Sequence, residues 1–229
     1  MLILCPQGFV GSNPTPRALH FHSASRLCSL AFSCKRILFL SICLVTGATV
    51  VTARFRVLYV FVVLEVGTRR ILHWNVTEHP TAEWIIHQFR MVITPETSHR
   101  FVLHDRDSIF AATVDRAIAS MGRHVLKTPV RTPQANAFCE RLIGTMRREC
   151  LDWLIPIHEG HLRWILRDWV IHYNRCRPHA SLGPGIPDPL SERNQLASTG
   201  HRLPEHARVI ATPILGGLHH EYRLARDAA

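Results

Sequence analysis

Acidic residues are missing from the first 64 positions of this sequence, where six Lys or Arg residues occur but no Asp or Glu. The first acidic residue is Glu65. Residues 1–25 mix Pro, Gly, Ser and His without periodicity, which is typical of a loop or a disordered segment. We therefore expect residues 1–45 to form a divergent N-terminal segment. The composition also fits translation from an unselected frame or a degraded gene end. Sequencing the locus for a better upstream start would test that hypothesis.

Paired cysteines are also absent, because the seven Cys residues are odd in number and form no Cys-x-x-Cys motif. This pattern argues against a disulfide framework or a zinc ribbon and favours a reducing compartment. Two of the seven, Cys139 and Cys150, fall within a helical pattern. We interpret them as small apolar core residues rather than metal ligands.

The apolar run at residues 37–51 is shorter than the ~20 residues that a transmembrane helix requires, and it contains Thr and Gly. It also lies too far from the start of the chain to be the apolar core of a signal peptide. Strand-like residues follow it directly. We therefore interpret it as a buried strand followed by a turn, and we expect no membrane insertion.

Positive charge is what the sequence has in excess, with a formal net charge of +10 and an isoelectric point near 10.0. Such a balance points first to nucleic acid and second to an anionic membrane surface. A basic surface without a polyanionic partner is the remaining alternative. The 229 residues suffice for one domain of ~150 residues with flanking pieces.

An antiparallel start followed by alternating helices and strands predicts the fold class. Residues 55–66 are apolar, β-branched and aromatic, as in a strand buried on both faces. A turn at Gly67–Arg69 leads to a second strand at 70–77, which predicts an antiparallel hairpin. In that second strand we expect Ile71, His73, Asn75 and Thr77 on one face and Leu72, Trp74 and Val76 on the other.

Four helices and two short strands are predicted next. Pro80 precedes a helix that Pro95 ends, residues 100–104 form a strand, and Ser108 caps a helix that Gly122 stops. A strand at 124–129, a helix bearing Glu140 and a final helix follow; the apolar stripe of the last is Leu162, Ile165, Leu166, Trp169, Val170 and Tyr173. The order implies an α/β fold, a mixed sheet with helices on its faces. Residues 208–215 and 219–224 predict a terminal hairpin.

Two carboxylates carry the candidate chemistry. Asp105 follows a short strand, and Glu140 lies on a helix 35 positions later. The end of a strand in an α/β sheet is the usual place for functional groups. Asp107 is an alternative to Asp105, but it serves equally well as a helix cap. A fold that brings two such carboxylates together can hold a divalent metal over a phosphate.

Basic side chains surround these carboxylates in sequence, with ten Lys or Arg against five Asp or Glu between residues 121 and 180. A metal bordered by Arg suits phosphodiester chemistry, because Arg holds flanking phosphates. The residues predicted to contact DNA are Lys127, Arg131, Gln134, Asn136, Arg141, Arg147 and Arg148.

Three motifs, HDRDSIF, TPVRTPQANAFCERLIGTMRREC and HYNRCRPHASL, resemble the integrase catalytic core of bacterial insertion-sequence transposases, which is related to retroviral integrases. The resemblance implies an RNase H-like fold with a five-stranded mixed sheet over residues 46–189, followed by a tail at 190–229. It also implies two Asp and one Glu that bind two Mg²⁺ or Mn²⁺ ions for DNA strand transfer. By position, Asp105 matches the second Asp and Glu140 matches the Glu. Arg177, Pro178 and His179 match a motif to which we assign a structural role.

The first Asp of that triad is missing. The resemblance places it near Thr46, but no Asp precedes Asp105, and Glu65 lies on the next strand. Three functions stay open: a metal-dependent transposase acting on transposon ends and target DNA, an inactive DNA-binding remnant, and a membrane-anchored protein. A nuclease of the same fold is a variant of the first. From the resemblance we expect a homo-oligomer or association with an intact transposase, in the bacterial cytoplasm at the nucleoid.

Overall fold

The computed structural model describes residues 42–94, 99–105, 107–127, 133–183, 185–189 and 207–226. The predictions for residues 1–41, Pro95 and Arg131 lie outside these ranges. Within them, no helix is both long and apolar enough to cross a lipid bilayer.

A five-stranded mixed sheet forms the centre of the fold, as predicted. The strand order is β3-β2-β1-β4-β5. The first three strands are antiparallel, whereas β4 runs parallel to both β1 and β5. The strands are β1 (Ile42–Val51), β2 (Val57–Glu65), β3 (Ile71–Thr77), β4 (Phe101–His104) and β5 (His124–Lys127).

Four helices and a separate hairpin complete the described architecture, again as predicted. The helix α3 continues into a π-helical turn at Arg147–Leu151, and short 3-10 turns occupy Ala180–Leu182 and Leu215–Gly217. The helices are α1 (Ala82–Val92), α2 (Ala112–Ser120), α3 (Pro133–Met146) and α4 (Glu159–Arg175); the hairpin strands are β6 (Ala207–Ile214) and β7 (His219–Arg226).

Strand β2 separates two apolar layers because its alternate side chains are buried on opposite faces of the sheet. One layer packs against α3 and α4 and includes the complete apolar stripe predicted for α4. Cys139 and Cys150 lie in this layer as buried apolar residues, as predicted. The other layer packs against α1 and α2.

The predicted alternation of β3 is wrong at its first two residues. Ile71 lies in the layer that contains Trp74 and Val76, whereas Leu72 lies in the opposite layer. The cause is a shift in the pairing register between Val63 and Leu64, which a sequence pattern of period 2 does not reveal.

The predicted helix cap at Ser108 is also wrong. Helix α2 follows Ala111, and no side chain caps it. Asp107 folds the preceding segment into a turn, because its side-chain oxygen accepts the Ile109 N–H at 3.3 Å. The Ser108 hydroxyl hydrogen-bonds the same carboxylate at 3.3 Å and therefore lies in the turn.

Candidate active site

The strand register places Thr46 beside Asp105. Parallel pairing of β1 with β4 sets Val45 against His104, and Thr46 and Asp105 are the next residues of the two chains. Thr46 is buried in the middle of β1, where the sequence resemblance calls for an acidic residue. Thr46 therefore lies next to Asp105 across the β1–β4 pair.

Helix α3 passes over this point and brings Glu140 into the same neighbourhood. The thiol of Cys139 lies 3.9 Å from the carbonyl oxygen of Val45. Burial raises the pKa of Cys139 to about 12; a hydrogen bond with Thr46 opposes this, and the charges of Asp105 and Glu140 add to it. The charges of Asp105 and Glu140 therefore both act on the Cys139 thiol. Glu140, the next residue of α3, is exposed to solvent.

Tyr59 reaches the site from the opposite face of the sheet, above Gly47. A Cβ atom at residue 47 would lie 1.9 Å from the Tyr59 hydroxyl oxygen, so this position requires glycine. Burial, followed by the charges of Asp107 and Asp105, raises the pKa of Tyr59. Its buried hydroxyl has no hydrogen-bond partner within the described ranges. Sequence reasoning missed Tyr59; the glycine within an otherwise β-branched strand was the available signal.

A buried histidine holds the backbone at Asp105. The His104 Nδ1 lies 2.6 Å from the Asp105 carbonyl oxygen, and its Nε2 lies 2.9 Å from Asp115 Oδ1. Lys127 Nζ contacts the other oxygen of Asp115 at 2.6 Å. Burial acts to raise the pKa of Asp115, but the hydrogen bonds from Lys127 and His104 outweigh it and leave that pKa below its usual value.

The two candidate aspartates have different surroundings. Asp105 accepts one backbone N–H, from Asp107, at 3.1 Å through Oδ1. Asp107 uses its carboxylate within its own turn, with Ser108 and Ile109. Asp105 is therefore the better placed of the two to ligate a metal.

The residues predicted to contact DNA differ in their environment. Lys127 is paired with Asp115, and Arg147 donates to the Thr49 carbonyl oxygen at 3.2 Å. Arg141 and Arg148 are exposed on α3 and the π-helical turn. Gln134 and Asn136 lie in the first turn of α3, of which only the backbone is described, and Arg131 lies outside the described residues.

A cavity of about 330 Å³ lies between α3 and the segment after α4, and three arginines line it. The Arg69 guanidinium stacks on Phe138 at 3.9 Å, and its buried Nη1 has no hydrogen-bond partner in the part of the chain described. Arg177 binds Glu149 through two nitrogens at 2.7–3.0 Å. Arg141 is the third arginine.

His179 completes the wall of this cavity. Its ring meets Tyr173 edge-on at 4.9 Å. Burial, followed by the charge of Arg177, lowers the pKa of His179 to about 4. Together with the Arg177–Glu149 pair, these contacts agree with the structural role expected for the Arg177–His179 motif.

Residues 123–187 match the family described as the integrase core domain. The match spans 65 of the 229 residues, a little over a quarter of the chain, and shows a similarity over that stretch. The match begins just before β5 and includes Glu140 and the Arg177–His179 motif. It does not include β1 or Asp105.

A relative from an insertion element supports the assignment. The uncharacterized 39.2 kDa protein of insertion element IS476 from Xanthomonas euvesicatoria is 39% identical over 62 residues. The aligned region covers 26% of this chain and 17% of that protein, so it spans about a sixth of the relative's length.

Solved catalytic cores share the fold at low sequence identity. The catalytic domain of the Mos1 mariner transposase is 14% identical with a TM-score of 0.50, covering 69% of this chain and 85% of its own. The HTLV-2 integrase catalytic core, solved with magnesium in a trimeric form, is 10% identical with a TM-score of 0.50, covering 66% of this chain and 95% of its own. The fold of the described residues is therefore RNase H-like, as the sequence predicts.

Proposed function

We propose that this protein is a DNA-binding integrase core that keeps two carboxylates of its metal site, Asp105 and Glu140, and has lost the third. The observation that carries the proposal is Thr46. It pairs next to Asp105 through the β1–β4 register and hydrogen-bonds Cys139, the neighbour of Glu140. A neutral hydroxyl thus occupies the position where the integrase resemblance requires an acid.

The residues present fit one divalent ion better than two. Mg²⁺ keeps several waters and is commonly held by one or two carboxylates, which Asp105 and Glu140 supply. When bound, Mg²⁺ or Mn²⁺ would polarise a phosphate oxygen of DNA. A two-ion site needs further anionic ligands, and Asp107 already uses its carboxylate in a turn. We therefore expect metal binding to be weak and strand transfer to be absent.

DNA binding rests on charge and on the exposed side chains near the site. The chain carries a formal net charge of +10, and Arg141 and Arg148 are exposed beside Glu140 on the same helical stretch. Lys/Arg contacts to phosphates supply most non-specific affinity for DNA. Within this proposal, residues 46–189 act as the DNA-binding core and 190–229 as its tail.

Self-association is part of the same proposal. The HTLV-2 integrase core has been solved in dimeric and trimeric forms. We expect this chain to form homo-oligomers or to associate with an intact transposase at the bacterial nucleoid.

The decisive experiment restores the acid. Mg²⁺- or Mn²⁺-dependent nicking and strand transfer would be measured on DNA carrying the ends of the parent element. Thr46→Asp would be compared with the unmodified chain, with the uncharged control Thr46→Asn, and with the double variant Thr46→Asp/Glu140→Gln. We expect activity in Thr46→Asp alone, because only that chain has all three carboxylates.

Two other results would contradict the proposal. Activity in the unmodified chain that Glu140→Gln removes would show that two carboxylates suffice and that the protein is an active transposase. Inactivity of a folded, DNA-binding Thr46→Asp chain would show that the acid is not the missing element. Fluorescence anisotropy with the same DNA measures binding independently of catalysis.

A further inference from the structure

A second group of metal-ligating side chains lies where the terminal hairpin meets α4. His172 lies in the last turn of α4, and Cys176 is the residue that caps the C-terminal end of this helix. Glu221 on β7 lies opposite them. One ligand atom of each residue lies within 4.8 Å of the other two, and across the described ranges this is the single such cluster of three or more His, Cys, Asp or Glu residues.

Two of the three candidate ligands, His172 on α4 and Glu221 on β7, are already in contact. His172 Nδ1 lies 3.3 Å from Glu221 Oε1. His172 is 8% exposed, and Cys176 and Glu221 are half-buried. Partial burial limits competition by water for the ligand atoms. A metal ion can reach them from the side of Cys176 and Glu221, which line a surface cavity.

The donor types select the metal. A soft thiolate, a borderline imidazole and a hard carboxylate are all ligands that Zn²⁺ accepts, whereas Mg²⁺ prefers oxygen ligands alone. The remaining position of a tetrahedral ion is left for water.

The hairpin also contacts the core through Leu215 and Leu218, which pack in the apolar layer, and through a hydrogen bond between the His219 ring and the Glu149 carbonyl oxygen. Its strands are largely exposed, and Leu215 is its one fully buried residue within 207–225. His219 adds a ring stack on His172, with centroids 5.1 Å apart. Because an isolated two-stranded hairpin is marginally stable in water, a cross-link between β7 and α4 would fix its position.

We propose that His172, Cys176 and Glu221 form a three-ligand Zn²⁺ site that joins the C-terminal hairpin to the C-terminal end of α4. The site lies apart from Asp105 and Glu140 and takes a different class of metal. It does not depend on whether the integrase core is active. The competing explanation is a His172–Glu221 ion pair with a thiol beside it, which has no use for a metal.

Cobalt spectroscopy on the full chain separates the two explanations. The protein would be freed of metal with EDTA and titrated with Co²⁺, which gives a near-ultraviolet charge-transfer band when a thiolate ligates it. We expect the band to saturate at one equivalent and to disappear on addition of Zn²⁺. An oxygen-only site at Asp105 and Glu140 gives no such band, so the outcome is independent of the proposed function.

Variants identify the ligands. Cys176→Ser should abolish the band, and His172→Gln and Glu221→Gln should each weaken Co²⁺ affinity about tenfold or more. His220→Ala, an exposed histidine of the same hairpin, is the matched control and should bind like the unmodified chain. Circular dichroism would confirm that each variant is folded.

Three results would overturn the site. These are the absence of a thiolate band in the unmodified chain, a band that persists in Cys176→Ser, and an unchanged affinity in the folded Glu221→Gln variant. Limited proteolysis provides a second readout. Zn²⁺ should slow cleavage within residues 207–226 at least several-fold in the unmodified chain, and Cys176→Ser should remove this protection.

Discussion

At the scale of single residues, Gly47 and Tyr59 show how tightly the centre of the sheet is packed. Adding a methyl group at residue 47 places it in the Tyr59 ring. We expect Gly47→Ala to lower the free energy of unfolding by about 1–3 kcal/mol or more, as overpacking does. Urea denaturation measures the change.

The control for that prediction is Tyr59→Phe. It removes a buried hydroxyl that has no partner within the described ranges, so it should leave the stability equal or higher. Equal stabilities for Gly47→Ala and the unmodified chain would show that the Tyr59 ring moves aside without cost.

His179 predicts a pH dependence of stability. Its pKa in the folded protein is about 4, below the ordinary 6.5, because burial and Arg177 disfavour the charged form. Between these values the unfolded chain takes up a proton that the folded chain does not, so stability falls as the pH falls from about 6.5 towards 4. Urea unfolding at several pH values in this window, compared with His179→Gln, should show a smaller loss in the variant. Parallel curves would contradict the assignment.

Among the site residues, those in contiguous motifs were predictable and those that meet across strands were not. Asp105, Glu140 and the position of Thr46 were proposed from motifs and their spacing and stay predictions, although the strand register does place Thr46 beside Asp105. Tyr59, His104 and Asp115 come from three separate elements. Their contacts depend on strand register and helix placement, which the local sequence pattern does not specify.

At the scale of elements, the pair Glu149–Arg177 joins the π-helical turn to the segment after α4. Each side chain is 26% exposed, so the pair is partly shielded from solvent. We expect Glu149→Gln to cost about 1–3 kcal/mol of unfolding free energy, because it breaks charged hydrogen bonds beside two other arginines.

Glu159→Gln is the matched comparison for that change. Its partner Arg163 is four residues away on α4, and the pair is more exposed. The expected cost is about 0.3–0.5 kcal/mol. Similar costs for the two variants, measured by urea unfolding, would show that the Glu149–Arg177 pair contributes no more than an ordinary surface pair.

The elements themselves were largely readable from the sequence because apolar periodicity and turn residues mark them directly. The five strands, the four helices and the hairpin all occur where the pattern indicates. The errors at Ile71 and Ser108 have a common origin. In each, one local interaction, a register shift or a side-chain turn, displaces the pattern by a few residues.

At the scale of the whole molecule, the net charge of +10 predicts DNA binding with a steep salt dependence. Each phosphate neutralised contributes about 0.9 to the slope of log affinity against log salt concentration. Arg141→Gln and Arg148→Gln should each reduce that slope by about 1.

Arg167→Gln serves as the control, since Arg167 is paired with Asp168 on α4. Fluorescence anisotropy over a range of salt concentrations should give it the slope of the unmodified chain. If all three variants keep the slope of the unmodified chain, the DNA-binding surface does not include Arg141 or Arg148.

Strand β1 joins the two parts of the sheet, with β2–β3 on one side and β4–β5 on the other. Its packing demands are modest: small or β-branched apolar residues and a glycine below Tyr59. An acid at position 46 would serve the chemistry proposed above rather than the packing, and the buried Thr46 fills this place in the strand. At this strand, the fold can therefore be retained in descendants that have lost the proposed metal ligand. Under the proposal above, a change of one codon in β1 removes a metal ligand and leaves the sheet itself intact.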